Sequence, residues 1–280
     1  MSPPKLPKPA IRINVDVTNP GQFFACCGLL ELADRLWPGL CVLGAFSSDH
    51  FHLSARSSEC SLKQIIERFV FAEVQQLDIH DNAASPLHLD SPFDLRLDWW
   101  KKVETTNNKL VNIGGGDQLK PWAGKQFAPL IFRLMKNACG DIDLESLLDD
   151  ARAIYDTKKG KAKKKTISPF YFDARREETS LDIGFSPDEQ KMSVMAYPAV
   201  ESLALVGLQR FRPVVDENRR IRSFLYTAWA EPLSPTVAMA AASGLIPVRS
   251  CGTLRFTKPS RGGEYLTMFS RATRERSTND

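Results

Sequence analysis

A chain of 280 residues can bury a sizeable core, as one domain or as two closely packed ones. With 43% apolar and 25% charged residues and no apolar run near the roughly 20 residues that span a bilayer, it reads as globular and neither disordered nor membrane-spanning. The net charge of +4 is small but segregated. Residues 141–150 (DIDLESLLDD) are acidic, 158–165 (KKGKAKKK) intensely basic and 255–276 basic again, which suits a polyanionic partner better than a small-molecule substrate.

The start of the chain, Met1–Lys8, is rich in proline and lysine and has no apolar stretch of leader type, so a cytoplasmic location is expected. The six cysteines (Cys26, Cys27, Cys41, Cys60, Cys139 and Cys251) form no C-x-x-C pair, which fits free, mostly buried thiols in a reducing compartment.

In chain order, Ile11–Val17 alternates apolar and polar residues and predicts a half-buried strand. Asn19 and Pro20 open a helix, with Gln22 at capping-box spacing and an apolar stripe of Phe23, Phe24, Cys27, Leu30 and Ala33; Pro38 and Gly39 stop it. Cys41–Ala55 reads as a hairpin. Ser61 opens a second helix with the stripe Leu62, Ile65, Ile66, Phe69 and Val70. Phe93–Trp99 alternates like a strand, Asn107–Gly124 is loop-like, and helices are expected over Lys125–Asn137 and Leu144–Tyr155.

Residues 157–165 read as a lysine-rich loop or linker between an α+β region (1–156) and a second α+β region (166–280). In the second region strands are expected over Thr166–Phe172 and Ser180–Phe185, and a helix over Tyr197–Arg210. A strand over Ile221–Ala230, an alanine-rich helix opened by Ser234-Pro235, and a hairpin of Cys251–Thr257 with Glu264–Phe269 complete it. Hairpins mixed with helices predict an α+β fold of antiparallel sheets with packed helices.

Three clusters point to nucleic acid. Lys158, Lys159, Lys161, Lys163, Lys164 and Lys165 can neutralise several phosphates and release their counterions, gripping backbone without reading sequence. A solvated linker is the competing reading. In the glycine-rich stretch Asn112–Gln126, Lys120, Trp122 and Lys125 offer a stacking face between cations, as single-strand binders do; a turn whose tryptophan packs on the core is the alternative. The stretch has neither Walker A nor Rossmann glycine spacing. Arg175, Arg176 and Arg210 suit bidentate phosphate contacts, or else are scattered solubilising charge.

Enzyme chemistry has thin support. His50 and His52 alternate on one strand face beside Asp49 without a third or fourth metal ligand in view. Asp173 and Asp182 are the one carboxylate pair that suggests a magnesium-dependent nuclease. Cys26 sits in apolar FFACCGLL and reads as a packed thiol. No catalytic residue, metal or cofactor is therefore assigned.

Several short segments resemble a known family. Asn19-Pro20-Gly21 with Phe23–Leu29, Gly114–Asp117 with Lys120-Pro121-Trp122, Pro169–Asp173, Asp182–Phe185, and Gly207–Pro213 are similar to a CRISPR-associated family from type I-G (formerly I-U) loci, a compact form of the Cascade large subunit. The resemblance implies a non-enzymatic subunit of a crRNA-guided surveillance complex. Such a subunit meets target DNA beside the protospacer, aids adjacent-motif recognition and unwinding, and docks the helicase-nuclease, while base pairing reads the target. Implied partners are crRNA, target DNA, the backbone and crRNA-processing subunits and the helicase-nuclease, with no membrane. Processing of crRNA by this chain is the nearest alternative.

Overall fold

The computed structural model describes residues 11–57, 60–77, 85–101, 103–106, 109–112, 118–122, 126–156, 165–175, 195–217, 221–259 and 267–275. Its architecture is built around the first helix. Asn19 stands extended, its side-chain oxygen accepting from the N–H groups of Gly21 (3.1 Å) and Gln22 (3.4 Å), and Pro20 follows with φ already helical. These start α1 (Pro20–Leu36). Gln22 does not close a capping box; its Oε1 accepts from the Asp16 N–H at 2.7 Å, tying the preceding loop to the helix.

All residues from Pro20 to Ala33 are buried. The stripe expected from the sequence is therefore only part of a helix covered on every side. One cover is the sheet of β1 (Ile11–Asn14), β2 (Leu43–Phe46) and β3 (His50–Ser54), antiparallel in the order β1-β3-β2. Ile11 and Ile13 point inward and Arg12 and Asn14 outward, as their alternation requires.

A second helix, α2 (Leu62–Phe71), is capped by Ser61, whose Oγ accepts from Gln64 N–H at 3.3 Å, and buries Ile65, Ile66 and Phe69. The meander β4 (Val74–Gln76), β5 (Leu87–Leu89), β6 (Leu95–Leu97) follows, then the hairpin of β7 (Val103–Thr106) and β8 (Lys109–Asn112) and helix α3 (Ala128–Ala138). Lys136 of α3 is 2% exposed and donates to the carbonyls of Phe69 (3.2 Å) and Val70 (2.5 Å), so it satisfies the C-terminal end of α2. Burial pulls its pKa down to about 8.

Beyond α3 come β9 (Arg152–Ala153), β10 (Tyr155–Asp156), β11 (Lys165–Thr166) and β12 (Met195–Ala196), in the pairs β10-β11 and β9-β12. Helix α4 (Pro198–Arg210) is buried from Pro198 to Leu208. The antiparallel sheet β13 (Val214–Asp216), β14 (Ser223–Trp229), β15 (Ser250–Thr257), β16 (Thr273–Arg274) closes the fold, with α5 (Pro235–Ala242) between β14 and β15 in sequence.

The two buried helices pack at a glycine contact. A Cβ on Gly28 would stand 2.1 Å from the Leu203 carbonyl oxygen, and one on Gly207 would stand 2.0 Å from that of Phe24. Only glycine lets the backbones of α1 and α4 approach so closely. On the next side of α1, Phe23 and Phe24 meet Tyr226 of β14 at ring distances of 4.4 and 5.6 Å. The protein is thus α+β, and one apolar cluster draws on both sides of the 157–165 segment, which does not divide the core.

Three expectations fail locally. Leu144–Tyr155 is not a helix: a single 3-10 turn at Leu144–Ser146 is followed by β9 and β10, because strand pairing with distant segments outweighs local helix propensity. Of Thr166–Phe172 only Thr166 lies in a strand, β11, and residues 170–174 run buried without a ladder. β15 pairs with β14 and β16, and Met268 and Phe269 of the expected strand Glu264–Phe269 lie in no ladder; residues 260–266, like the strand expected at Ser180–Phe185, lie outside the described residues.

Candidate nucleic-acid interface

Three described segments far apart in sequence, around Asn19, over 172–174 and at the start of α4, meet at one place. Asn19 lies between them. Its Oδ1, besides capping α1, accepts from the Ala174 N–H at 3.2 Å, and its Nδ2 donates to Asp173 Oδ1 at 2.9 Å. Glu201, one turn into α4, accepts from the N–H groups of Phe172 and Asp173, each at 3.4 Å. Gln209 holds the end of β6: its Oε1 accepts from Asp98 and Trp99 N–H (3.0 and 3.1 Å) and its Nε2 donates to Asp98 Oδ1 (3.0 Å). Asn19, Asp173 and Glu201 are fully buried, so these bonds form in a low-dielectric interior where each unmade partner is costly.

Trp122 belongs to this interior. It is 3% exposed, with ring distances of 4.8 Å to Phe170, 5.7 Å to Trp99, 5.8 Å to Trp100 and 6.0 Å to Phe172. The expected open stacking face is thus corrected: the ring packs on the core, the alternative the sequence left open, because four neighbouring aromatic rings cover it more fully than an exposed loop can. Lys120 is half-buried, its Nζ 5.2 Å from the Trp122 ring centroid, and its carbonyl accepts from Lys258 Nζ at 2.8 Å.

Arg175 and Arg210 serve the scaffold and are not held open for phosphate. Arg175 grips both oxygens of Asp173 (2.9 and 2.6 Å), reaches Asp149 Oδ1 at 2.6 Å, and stacks with its guanidinium carbon 3.5 Å from the Tyr197 ring centroid. Burial works against its charge, yet the Asp173 hydrogen bonds and charge outweigh that and hold its pKa above the ordinary value. Arg210 pairs with Glu31 Oε2 at 2.5 Å, and Glu31, 1% exposed, also takes Arg35 Nε at 2.6 Å. Glu31 was missed from sequence; its trace is an acid inside an apolar run of the helix, four residues before an arginine.

Asp173, the described member of the candidate nuclease pair, is inside the protein with both oxygens engaged, and so is not presented to a metal or substrate; Asp182 lies outside the described residues. Among the described residues no three His, Cys, Asp or Glu side chains group as metal ligands. Burial raises the Cys26 and Cys27 thiols well above their usual range, which makes them poor nucleophiles.

Lys125, Lys158, Lys159, Lys161, Lys163, Lys164 and Arg176 lie outside the described residues. Their flanks are informative. Asp156 of β10 pairs in register with Lys165 of β11, and Ile167 N–H reaches Ile154 O at 2.8 Å. The described chain therefore stops and resumes at neighbouring, paired residues.

Concave described surface lies around the end of α2. A groove of about 570 Å³ is lined by Ile66, Val70, Phe71, Gly140, Ile142 and Leu144, and Phe71 itself is 81% exposed beside it. Its polar rim, Lys63 and Glu67, is an ion pair at 3.7 Å, and burial pushes the pKa of the Cys139 thiol, which also lines it, up to about 12, which makes it a poor nucleophile. No helix among the described residues is long and apolar enough to cross a membrane.

No family model, curated protein or solved structure matches the chain.

Proposed function

We propose that the chain is a non-catalytic subunit of a type I CRISPR surveillance complex. In this reading it contacts target DNA beside the guide-paired segment and helps recognise the adjacent motif, unwind the duplex and dock the helicase-nuclease. It acts in the cytoplasm and carries no catalytic residue. The observation that supports this is that segments resembling that family pack together: buried Asn19 donates to Asp173, and Gly207 of α4 lies against the Phe24 carbonyl of α1. Function then rests on charge displayed by that scaffold. Six lysines fall within eight residues, in the sequence that follows β10 and runs into its partner strand β11. Closely spaced lysines neutralise neighbouring phosphates while leaving sequence to base pairing. The exposed Phe71 and its groove are the kind of apolar surface that a neighbouring subunit covers.

The test is a salt titration of target binding by the complex reconstituted with its guide RNA, for the natural chain and for a variant with all six lysines changed to alanine. Each lost duplex phosphate contact should lower the log–log slope by about 0.9, equally for every DNA sequence. An unchanged slope removes the lysine grip, and failure of the chain to enter the guide-RNA complex removes the subunit reading itself.

A further inference from the structure

We propose that His88, Asp90 and Asp94 form a proton-operated clamp on the turn between β5 and β6, locked when the imidazole is charged and released when it is neutral. His88 Nδ1 lies 2.8 Å from Asp90 Oδ1, and its Nε2 lies 2.8 Å from Asp94 Oδ1. A neutral ring has one N–H and would aim a lone pair at one of these carboxylates; only the imidazolium donates at both ends. Two oppositely placed carboxylates thus hold the proton on the ring: the hydrogen bond to Asp90 is the largest influence, burial opposes it, and the Asp94 hydrogen bond and the two carboxylate charges add to it, so the pKa of His88 is raised.

The charged groups around the ring are few. Across β4 the in-register neighbour is neutral Gln75, whose Nε2 donates to Asp90 Oδ2 at 2.6 Å and fixes that carboxylate. Across β6 the neighbour is Arg96, committed to Asp98 at 2.7 Å. Behind the turn, Arg35 of α1 donates to the carbonyls of Phe93 and Asp94, both at 2.9 Å, and its Nε pairs with buried Glu31, which also holds Arg210 of α4. The turn clamped by His88 is therefore one end of a polar chain that runs inward to the α1–α4 pair. Asp94, 89% exposed and with φ +44°, is the part free to swing away when the clamp opens.

A folded-state pKa above the unfolded value gives stabilisation that is complete below the unfolded pKa and fades as pH rises through the folded one. The clamp accordingly opens on the alkaline side of the ordinary histidine value.

The experiment follows the His88 ring by NMR from about pH 5 to 9 on the full chain, with hydrogen exchange at the Phe93 amide, which donates to Asp90 O at 3.0 Å. The ring should titrate above the ordinary histidine value, and Asp94→Asn, at an exposed position that leaves the fold intact, should bring it down. Phe93 protection should fall several-fold as the ring deprotonates, and His88→Gln should remove that pH dependence. The proposal is overturned if His88 titrates at or below the ordinary value, if Asp90→Asn and Asp94→Asn both leave its titration unmoved, or if Phe93 protection ignores pH once intrinsic exchange is corrected.

Discussion

At the scale of single residues, Asn19 has more to do than its sequence context indicates. As a helix cap alone, its loss would cost about 1 kcal/mol. It also donates to Asp173 and accepts from Ala174 N–H, both buried. Asn19→Ala would leave the buried Ala174 N–H without its acceptor and take one donor from Asp173, which Arg175 still holds, adding roughly 1–3 kcal/mol. Asn19→Ser should restore only the capping part, since a hydroxyl cannot both cap and reach Asp173. Urea denaturation of the two variants checks this; equal midpoints for serine and the natural residue would show that the Asp173 bond adds nothing. The cap was legible because Asn-Pro-Gly before an apolar run is a local pattern. The Asp173 bond was not, because the two residues are 154 positions apart and nothing local couples them. The same holds for Trp122, whose type suits base contact equally well as burial and whose partners come from other parts of the chain, and for the Asp149 and Tyr197 contacts of Arg175.

At the scale of elements, α1, α2, α3, α4 and α5 and the strands β1, β2, β3, β6 and β14 lie where periodicity and capping residues placed them, within a few residues. Misreadings concentrate at two-residue strands, where pairing is decided entirely by distant segments. The α1–α4 contact gives the sharpest element-level prediction. Alanine at 207 improves helix propensity by about 1 kcal/mol, yet its Cβ would lie 2.0 Å from a backbone carbonyl oxygen. Neither backbone can yield without separating the helices, so steric cost should win, with Gly207→Ala losing roughly 3 kcal/mol or more. A thermal midpoint that stays level or rises would mean the helices are not so close in solution.

At the scale of the whole molecule, one apolar cluster joins residues from Ile11 to Ala272. Trp122 is a link in it, touching Trp99 and Trp100 from one region and Phe170 and Phe172 from the other. Trp122→Ala should therefore destabilise both regions together, by about 3–5 kcal/mol, in one transition seen alike by circular dichroism and fluorescence. Under the function proposed above, molecules that remain folded should keep the natural salt slope for DNA, because the ring is buried in the core. Two separate transitions, with only one shifted, would show that the regions fold independently.

The sequence by itself determined the fold class, the capped helices and the segregation of charge, since each depends on periodicity, local backbone chemistry or composition over a short window. Only the tertiary structure decided that α1 is buried on all sides, that the 157–165 segment joins paired strands, and that Trp122, Asp173, Arg175 and Arg210 belong to the scaffold. The physical reason is that burial and pairing energies depend on which distant groups meet, and a charged or aromatic side chain has the same local signature whether its partner is a phosphate, a base or another residue of its own chain.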